Sequence, residues 1–221
     1  MSNYLFDEFN EVSSKEWKQK IQVDLKGADY NETLIWKNLE GIDVKPFYHQ
    51  DDFKVAFKEI PGFPKDWNVA QSIFIDDEKI ANHLMLDSIK RGAEAIVLTA
   101  NNEFNIEQVF NEFLVKNTII YFDLKFISES FISNLKHFFS SKKASVFYNI
   151  DIIGNLAKSG NWFSNLKEDY STLGKILKQN PQENIVSVDG TLFQNSGATM
   201  VQQLAYCLSQ ANEYLNHFKN T

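Results

Sequence analysis

Cysteine is nearly missing from this chain: Cys207 stands alone among 221 residues. One thiol makes no internal disulfide, which excludes a disulfide-stapled fold and leads us to expect a reducing compartment. Dense positive charge is missing too. The 22 Lys and Arg are outnumbered by 29 Asp and Glu, the net charge is −7, and the basic residues never form a block. Such a chain repels phosphate backbones and is not drawn to an anionic membrane surface, so neither nucleic acid nor membrane is an expected partner. The stretch Met1 to Glu8 has no basic region followed by an apolar run, so no signal peptide is expected. No apolar run approaches the roughly 20 residues that span a bilayer. Cytoplasmic localisation is the expectation.

Two chemical signatures are also lacking. No glycine-rich loop follows the first regular strand; Val69 to Ile75 runs into Asp76-Asp77-Glu78, an acidic helix start. That argues against a dinucleotide fold or a P-loop enzyme. The four histidines, His49, His83, His137 and His217, have no second His or Cys at metal-ligand spacing. Asp76-Asp77-Glu78 resembles a carboxylate cluster, but acidic side chains at a helix start complement its dipole, and we prefer that capping reading. Cys207 reads as a buried apolar residue of the last helix.

What is present is apolar and regular. The chain is 43% hydrophobic, with 19 phenylalanines, enough for a large core. Residues 1–66 read as an extension. Ser13 to Glu16 forms a capping-box pattern, and Trp17, Ile21 and Leu25 follow as one helical stripe. Thr33 to Lys37 and Ile42 to Tyr48 read as two short strands joined at Gly41. Pro46, Pro61, Gly62 and Pro64 mark a loop leading out. From residue 67 strands and helices alternate strictly. Strands are expected at 69–75, 94–99, 118–123, 144–150 and 184–189, and helices at 78–91, 106–115, 128–139, 166–178 and 198–218. The continuous apolar strands, such as Ala95-Ile96-Val97-Leu98, fit a parallel sheet buried on both faces. The expected class is α/β: about five parallel β-α units of a partial (β/α)8 barrel, over 67–221, where a closed barrel needs eight.

The segment from Ser187 to Ala198 follows a buried strand and precedes a long helix. In a barrel such loops face the catalytic mouth. Two readings stand open. Ser187, Asp189, Gln194 and Asn195 face a ligand, or this is a capping loop with Asn195 or Ser196 as the N-cap of the last helix.

This segment carries a resemblance. Asp189-Gly190-Thr191, Gln194-Asn195-Ser196-Gly197-Ala198-Thr199, Gln203-Leu204-Ala205-Tyr206 and Tyr214-Leu215 together resemble the adenosylcobalamin-dependent methylmalonyl-CoA mutases. Glu16-Trp17, Asp24-Leu25-Lys26-Gly27 and Leu39 to Tyr48 resemble the small (β) subunit of the heterodimeric members, as do Trp67-Asn68-Val69 and Arg91-Gly92-Ala93. The resemblance implies an N-terminal extension in contact with the partner subunit, a barrel, and a cobalamin-binding domain after it. It also implies interconversion of methylmalonyl-CoA and succinyl-CoA within propionate metabolism, and a large catalytic subunit as heterodimer partner. Catalytic members carry Gly-Tyr-His-Met-Gln-Glu-Ala-Gly where this chain has Gly190 to Gly197. The glycines and Gln194 match, but Thr191 replaces the Tyr and Leu192 the His. Leucine donates no hydrogen bond to a thioester carbonyl. The cobalamin motif Asp-x-His-x-x-Gly is absent. The resemblance therefore leaves no catalytic, cofactor-binding or metal-binding residue here, and implies a non-catalytic structural partner; the alternatives are an acyl-CoA-binding module or a stand-alone barrel-fragment protein without mutase activity. With three β-α units short of closure, the outer strands have free edges. Self-association through them is expected, or coverage by the N-terminal hairpin.

Overall fold

The computed structural model describes residues 8–53, 62, 66–113, 118–142 and 144–219. The chain divides into two units, Met1–Pro64 and Lys65–Thr221. In the first, helix α1 (Ser14–Asp24) starts at the expected capping box: the Glu16 N–H donates to Ser13 Oγ, and the Ser13 N–H donates back to Glu16 Oε2 at 2.8 Å. The expected strand at Thr33 starts too early. Tyr30–Leu34 is a helical turn, α2, because Asp29 Oδ1 accepts from the Asn31 and Glu32 N–H groups at 2.8 and 2.9 Å. Only Trp36–Lys37 (β1) and Asp43–Val44 (β2) pair, antiparallel. Their turn uses Gly41 at φ +75 and the Asn38 carboxamide oxygen, which accepts from Glu40 and Ile42. Two-residue strands do not bury a face, and Tyr30 is the one buried hydrophobic among the described residues of this unit. Of the expected exit loop, Pro61 and Pro64 lie outside the described residues.

The second unit is a five-stranded, all-parallel sheet in sequence order: β3 (Ala70–Phe74), β4 (Ala95–Ala100), β5 (Ile119–Leu124), β6 (Ser145–Ile150) and β7 (Asn184–Val186). Sequential parallel strands joined by helices give the partial barrel. The connecting helices are α3 (Glu78–Lys90), α4 (Ile106–Val109), α5 (Glu129–Phe139), α6 (Ile152–Ser159), α7 (Leu166–Gln179), α8 (Gly190–Asn195) and α9 (Met200–Phe218). Side-chain caps start them, Asp77 on Ile80, Ser128 on Phe131 and Asn165 on Glu168 among others. This settles the acidic triplet: Asp77 is an N-cap.

The strands are not buried on both faces as the apolar runs suggested. Burial alternates along β4, β5 and β6. One face, with Ile96, Leu98, Ile120, Phe122 and Tyr148, is sealed under the helices, against Met85, Phe131, Leu135 and Ile176. The other face, with Val97, Tyr121 and Phe147, stays half-buried, and Val97 and Tyr121 line an opening. Phe122 sits amid rings, with centroids of Phe104, Phe110, Phe139 and Tyr148 between 6.0 and 6.5 Å away. Trp162 packs at 6.1 Å on Tyr170 of α7, which in turn meets His217 and Phe218 of α9.

Three local expectations are corrected. The helix expected to Val115 stops after one turn, because Phe110 and Phe113 both turn into the core and Glu112 takes φ +56 between them. Between the strand expected to 150 and the helix expected from 166, where no helix is expected, lies α6, capped by Asp151 and ended by Gly160 at φ +76. The last helix is capped by Thr199 in a box with Gln202, not by Asn195 or Ser196, which end the short helix α8.

Candidate functional site

The carboxyl ends of the strands surround a cavity of about 800 Å³, the place where α/β barrels put their chemistry. Val97 of β4, Tyr121 and Asp123 of β5, and Asn149 of β6 contribute to its wall, with α6 and the segment after β7 completing it. The Tyr121 ring stacks on Phe147 at 4.9 Å. At the β5 end, Lys125 Nζ lies 2.5 and 2.6 Å from the two Asp123 oxygens, so this lysine is already ion-paired.

Strand β6 is irregular at this mouth. Phe147 pairs with Asn184 and Ile150 with Val186, three steps on one strand against two on the other. The extra residue is a bulge, a device that re-aims side chains at sites. Asn149 takes it up at φ +49, the left-handed region that Asn tolerates better than most residues. Among the described residues its carboxamide makes no hydrogen bond, and it lines the cavity.

Beside it, Asp151 organises a network that sequence reading missed. Its Oδ1 accepts from the Gly154 N–H at 2.8 Å, from Gln210 Nε2 at 2.5 Å and from the Tyr214 hydroxyl at 2.6 Å. The Tyr214 oxygen in turn accepts the Ile153 N–H at 2.9 Å. A side chain at Gly154 would collide with the Asp151 carboxylate, so only glycine lets this cap close. The signal was present as Asp-x-x-Gly opening an apolar segment, with Gln210 and Tyr214 at spacing four on the last helix. It could not be read because the partners lie about 60 residues apart.

Burial, and then the Asp151 hydrogen bond and charge, push the Tyr214 phenol well above its ordinary range. Burial, then the charge of Glu183, does the same to Tyr148. In the unfolded chain both ionise near pH 10. A raised folded pKa makes a contribution that is full below about pH 10 and is lost as pH rises through the folded values. The urea midpoint is therefore expected to fall from pH 9 towards about pH 11.5, and Tyr214→Phe to flatten part of that fall. A midpoint independent of pH across this window in both proteins would exclude it.

The segment after β7 forms the other wall. Ser187 is half-buried and lines the cavity, as do Asp189 and Leu192. Asp189 is exposed and occupied: its Oδ1 accepts the Thr191 N–H at 3.0 Å and the Thr191 hydroxyl at 2.6 Å, capping α8. Gln194 and Asn195 are exposed on α8 and are not among the cavity's lining residues. The structure thus brings two of the four expected ligand-facing residues to the mouth, and not the other two. Gly197 is required by its φ of +85. At Gly190 an added Cβ would sit 3.2 Å from Cys207 Sγ, so α8 and α9 approach closely there. Cys207 is half-buried in that contact rather than buried in the core.

Among the described residues, no group of three or more His, Cys, Asp and Glu is placed to hold a metal ion, and no helix is long and apolar enough to cross a membrane. Residues 128–221 match the sequence model of the methylmalonyl-CoA mutase family. The methylmalonyl-CoA mutase small subunit of Porphyromonas gingivalis is 32% identical over 105 residues, which cover 42% of this chain and 17% of that protein. The small subunit from Propionibacterium freudenreichii subsp. shermanii is 21% identical over 248 aligned positions, covering 96% of this chain and 38% of that one. The methylmalonyl-CoA mutase of Rhizobium meliloti is 24% identical over 255 positions, covering 93% and 36%. The chain spans well under half the length of these relatives. The match covers α5 through α9, the stretch that builds the β6 and β7 side of the cavity, and by sequence the chain is similar to methylmalonyl-CoA mutases, their small subunits among them.

Proposed function

We propose that this chain serves as the small-subunit component of an adenosylcobalamin-dependent methylmalonyl-CoA mutase, working in the cytoplasm, and that it is non-catalytic and supports a large subunit that performs the rearrangement. The observation that carries this reading is Leu192. It lines the cavity at the position where the resemblance puts a histidine, and a hydrocarbon there polarises no carbonyl. Thr191, at the position of the tyrosine, has its hydroxyl committed to Asp189. The site does not fit a cobalamin either. None of the four histidines lines the cavity, so no imidazole at the mouth offers a nitrogen to cobalt.

The N-terminal unit supports a subunit-contact role. It leaves Trp36, Leu39 and Val23 exposed, Leu39 at 85%, and apolar surface of this kind marks interaction sites. Co-expression with a tagged large subunit is expected to yield a stoichiometric complex, and deletion of residues 1–66 to abolish it. Absence of any complex, or mutase turnover by this chain alone with added cobalamin, would end the reading.

A second reading rests on the cavity itself, whose free Asn149 carboxamide suits a polar ligand group: retained binding of an acyl-CoA without turnover. Calorimetric titration with acyl-CoA esters separates the two, since a structural subunit gives no heat.

A further inference from the structure

Between the end of α6 and the start of α7 the chain runs past the cavity in a short strap, Trp162-Phe163-Ser164. Phe163 lines the cavity. Both ends of the strap are fastened. In front of it, the Asn161 carbonyl accepts from Asn155 Nδ2 at 2.9 Å and from Ser159 Oγ at 3.0 Å, which ties it back to α6 across the left-handed Gly160. Behind it, Asn165 caps α7 by accepting the Glu168 N–H at 3.0 Å. The three residues between make no backbone-to-backbone hydrogen bond among the described residues.

One side chain holds the strap down. Asp169 is 1% exposed and stands on the same face of α7 as the buried Leu173 and Ile176, near the helix start. Its Oδ2 accepts the Phe163 N–H at 2.8 Å and its Oδ1 the Ser164 N–H at 3.0 Å. Among the described residues its carboxylate has no other hydrogen bond and no ion pair. Two opposed effects meet at this group. Charge-assisted bonds hold the strap to the helix, while the desolvation of a buried charge without a cation beside it works against the closed form. Lifting the strap breaks two bonds but returns the carboxylate and both amides to water, so the polar part of the change largely cancels. Closure then rests on the rings of Trp162, packed on Tyr170 at 6.1 Å, and of Phe163, and both are only half-buried. Segments with few ladder bonds and little buried apolar surface open at the low end of a protein's stability range.

We propose that Trp162 to Ser164 form a lid on the α6 side of the cavity, latched by Asp169 and able to open while the sheet and α7 stay folded. Opening withdraws Phe163 from the wall and widens the mouth where Asn155, Lys158 and Ser159 of α6 already face it. Asp169 itself is not among the cavity's lining residues, so the latch governs access without occupying the space a ligand would take. The inference concerns entry to the cavity and does not depend on the mutase reading.

The test is native-state hydrogen exchange of the 221-residue chain, followed residue by residue by NMR in rising, sub-denaturing urea. The Phe163 and Ser164 amides are expected to be protected, yet to exchange at least about a hundredfold faster than those of Ile120 and Phe122 in β5. Low urea should barely change their rates, because a small opening exposes little surface. Asp169→Asn keeps one oxygen but turns an amino group towards the second strap amide. It should speed exchange of the pair by about tenfold or more, while Leu173 and Ile176 of α7 keep their protection. Strap amides that share the rate and urea dependence of β5 in the wild type would mean that the strap opens only on unfolding, and would overturn the proposal without any variant. Unprotected strap amides in the wild type overturn it as well, since there would be no latch to release. So does an Asp169→Asn strap that exchanges no faster than wild type, or one that loosens together with α7.

Discussion

Asp151→Ala is expected to lower stability by about 3–4 kcal/mol, through the loss of a helix cap and of the shared acceptor for two buried donors. The Gly154 N–H loses its cap at the start of α6, and Gln210 Nε2 and the Tyr214 hydroxyl lose their common oxygen. A buried donor left without a partner costs more than the bond contributed, because its desolvation is no longer offset. For a chain of this size the melting temperature should drop by roughly 6–15 °C. Asp151→Asn keeps an oxygen at the cap and should cost less than half as much. The paired measurement separates the network from general damage near the mouth: if alanine and asparagine melt together, within a degree of wild type, Asp151 does not hold α9 to the sheet end.

Phe122→Ala should be as costly, about 3–5 kcal/mol, by a different mechanism. Phe122 is fully buried at the centre of β5, ringed by Phe104, Phe110, Phe139 and Tyr148. Deleting its ring leaves a cavity that four other rings, each wedged by its own neighbours, cannot collapse into. Phe122→Leu refills much of the space and should cost about 1.5 kcal/mol or less. Urea titrations of the three proteins are the measurement. A Phe122→Ala midpoint equal to that of Phe122→Leu would mean that the aromatic cluster repacks freely, contrary to the tight ring geometry.

The parallel sheet was readable because its signals are local. Apolar runs of five or six residues, each followed by an Asx or Ser cap and an amphipathic stretch, need no distant partner to be recognised. Errors came where a distant contact decided the outcome. Phe110 and Phe113 end α4 early because each fills the core, which outweighs the helical propensity around them. One error was local instead: the short helix after Asp29 wins over strand because one carboxylate oxygen holds two backbone amides two and three residues on. At the site, Ser187 and Asp189 lie at the mouth because they follow a strand, whose end fixes the next few residues. Gln194 and Asn195 do not, because the segment folds into α8 and carries them away from the cavity lining. The left-handed Asn149 had no sequence cue: a bulge depends on the register of the neighbouring strand, which a single sequence does not display.

The packing of Trp162 against Tyr170 has an optical consequence. Trp17, Trp36 and Trp67 are all exposed, so their emission is that of indole in water. Trp162 is half-buried and sits one ring away from the contact between α7 and the end of α9. Its fluorescence supplies a shorter-wavelength component whose intensity follows that contact, and excitation of Tyr170 feeds it by energy transfer over 6.1 Å. The protein therefore contains its own spectroscopic gauge of whether α9 is docked, readable without a label.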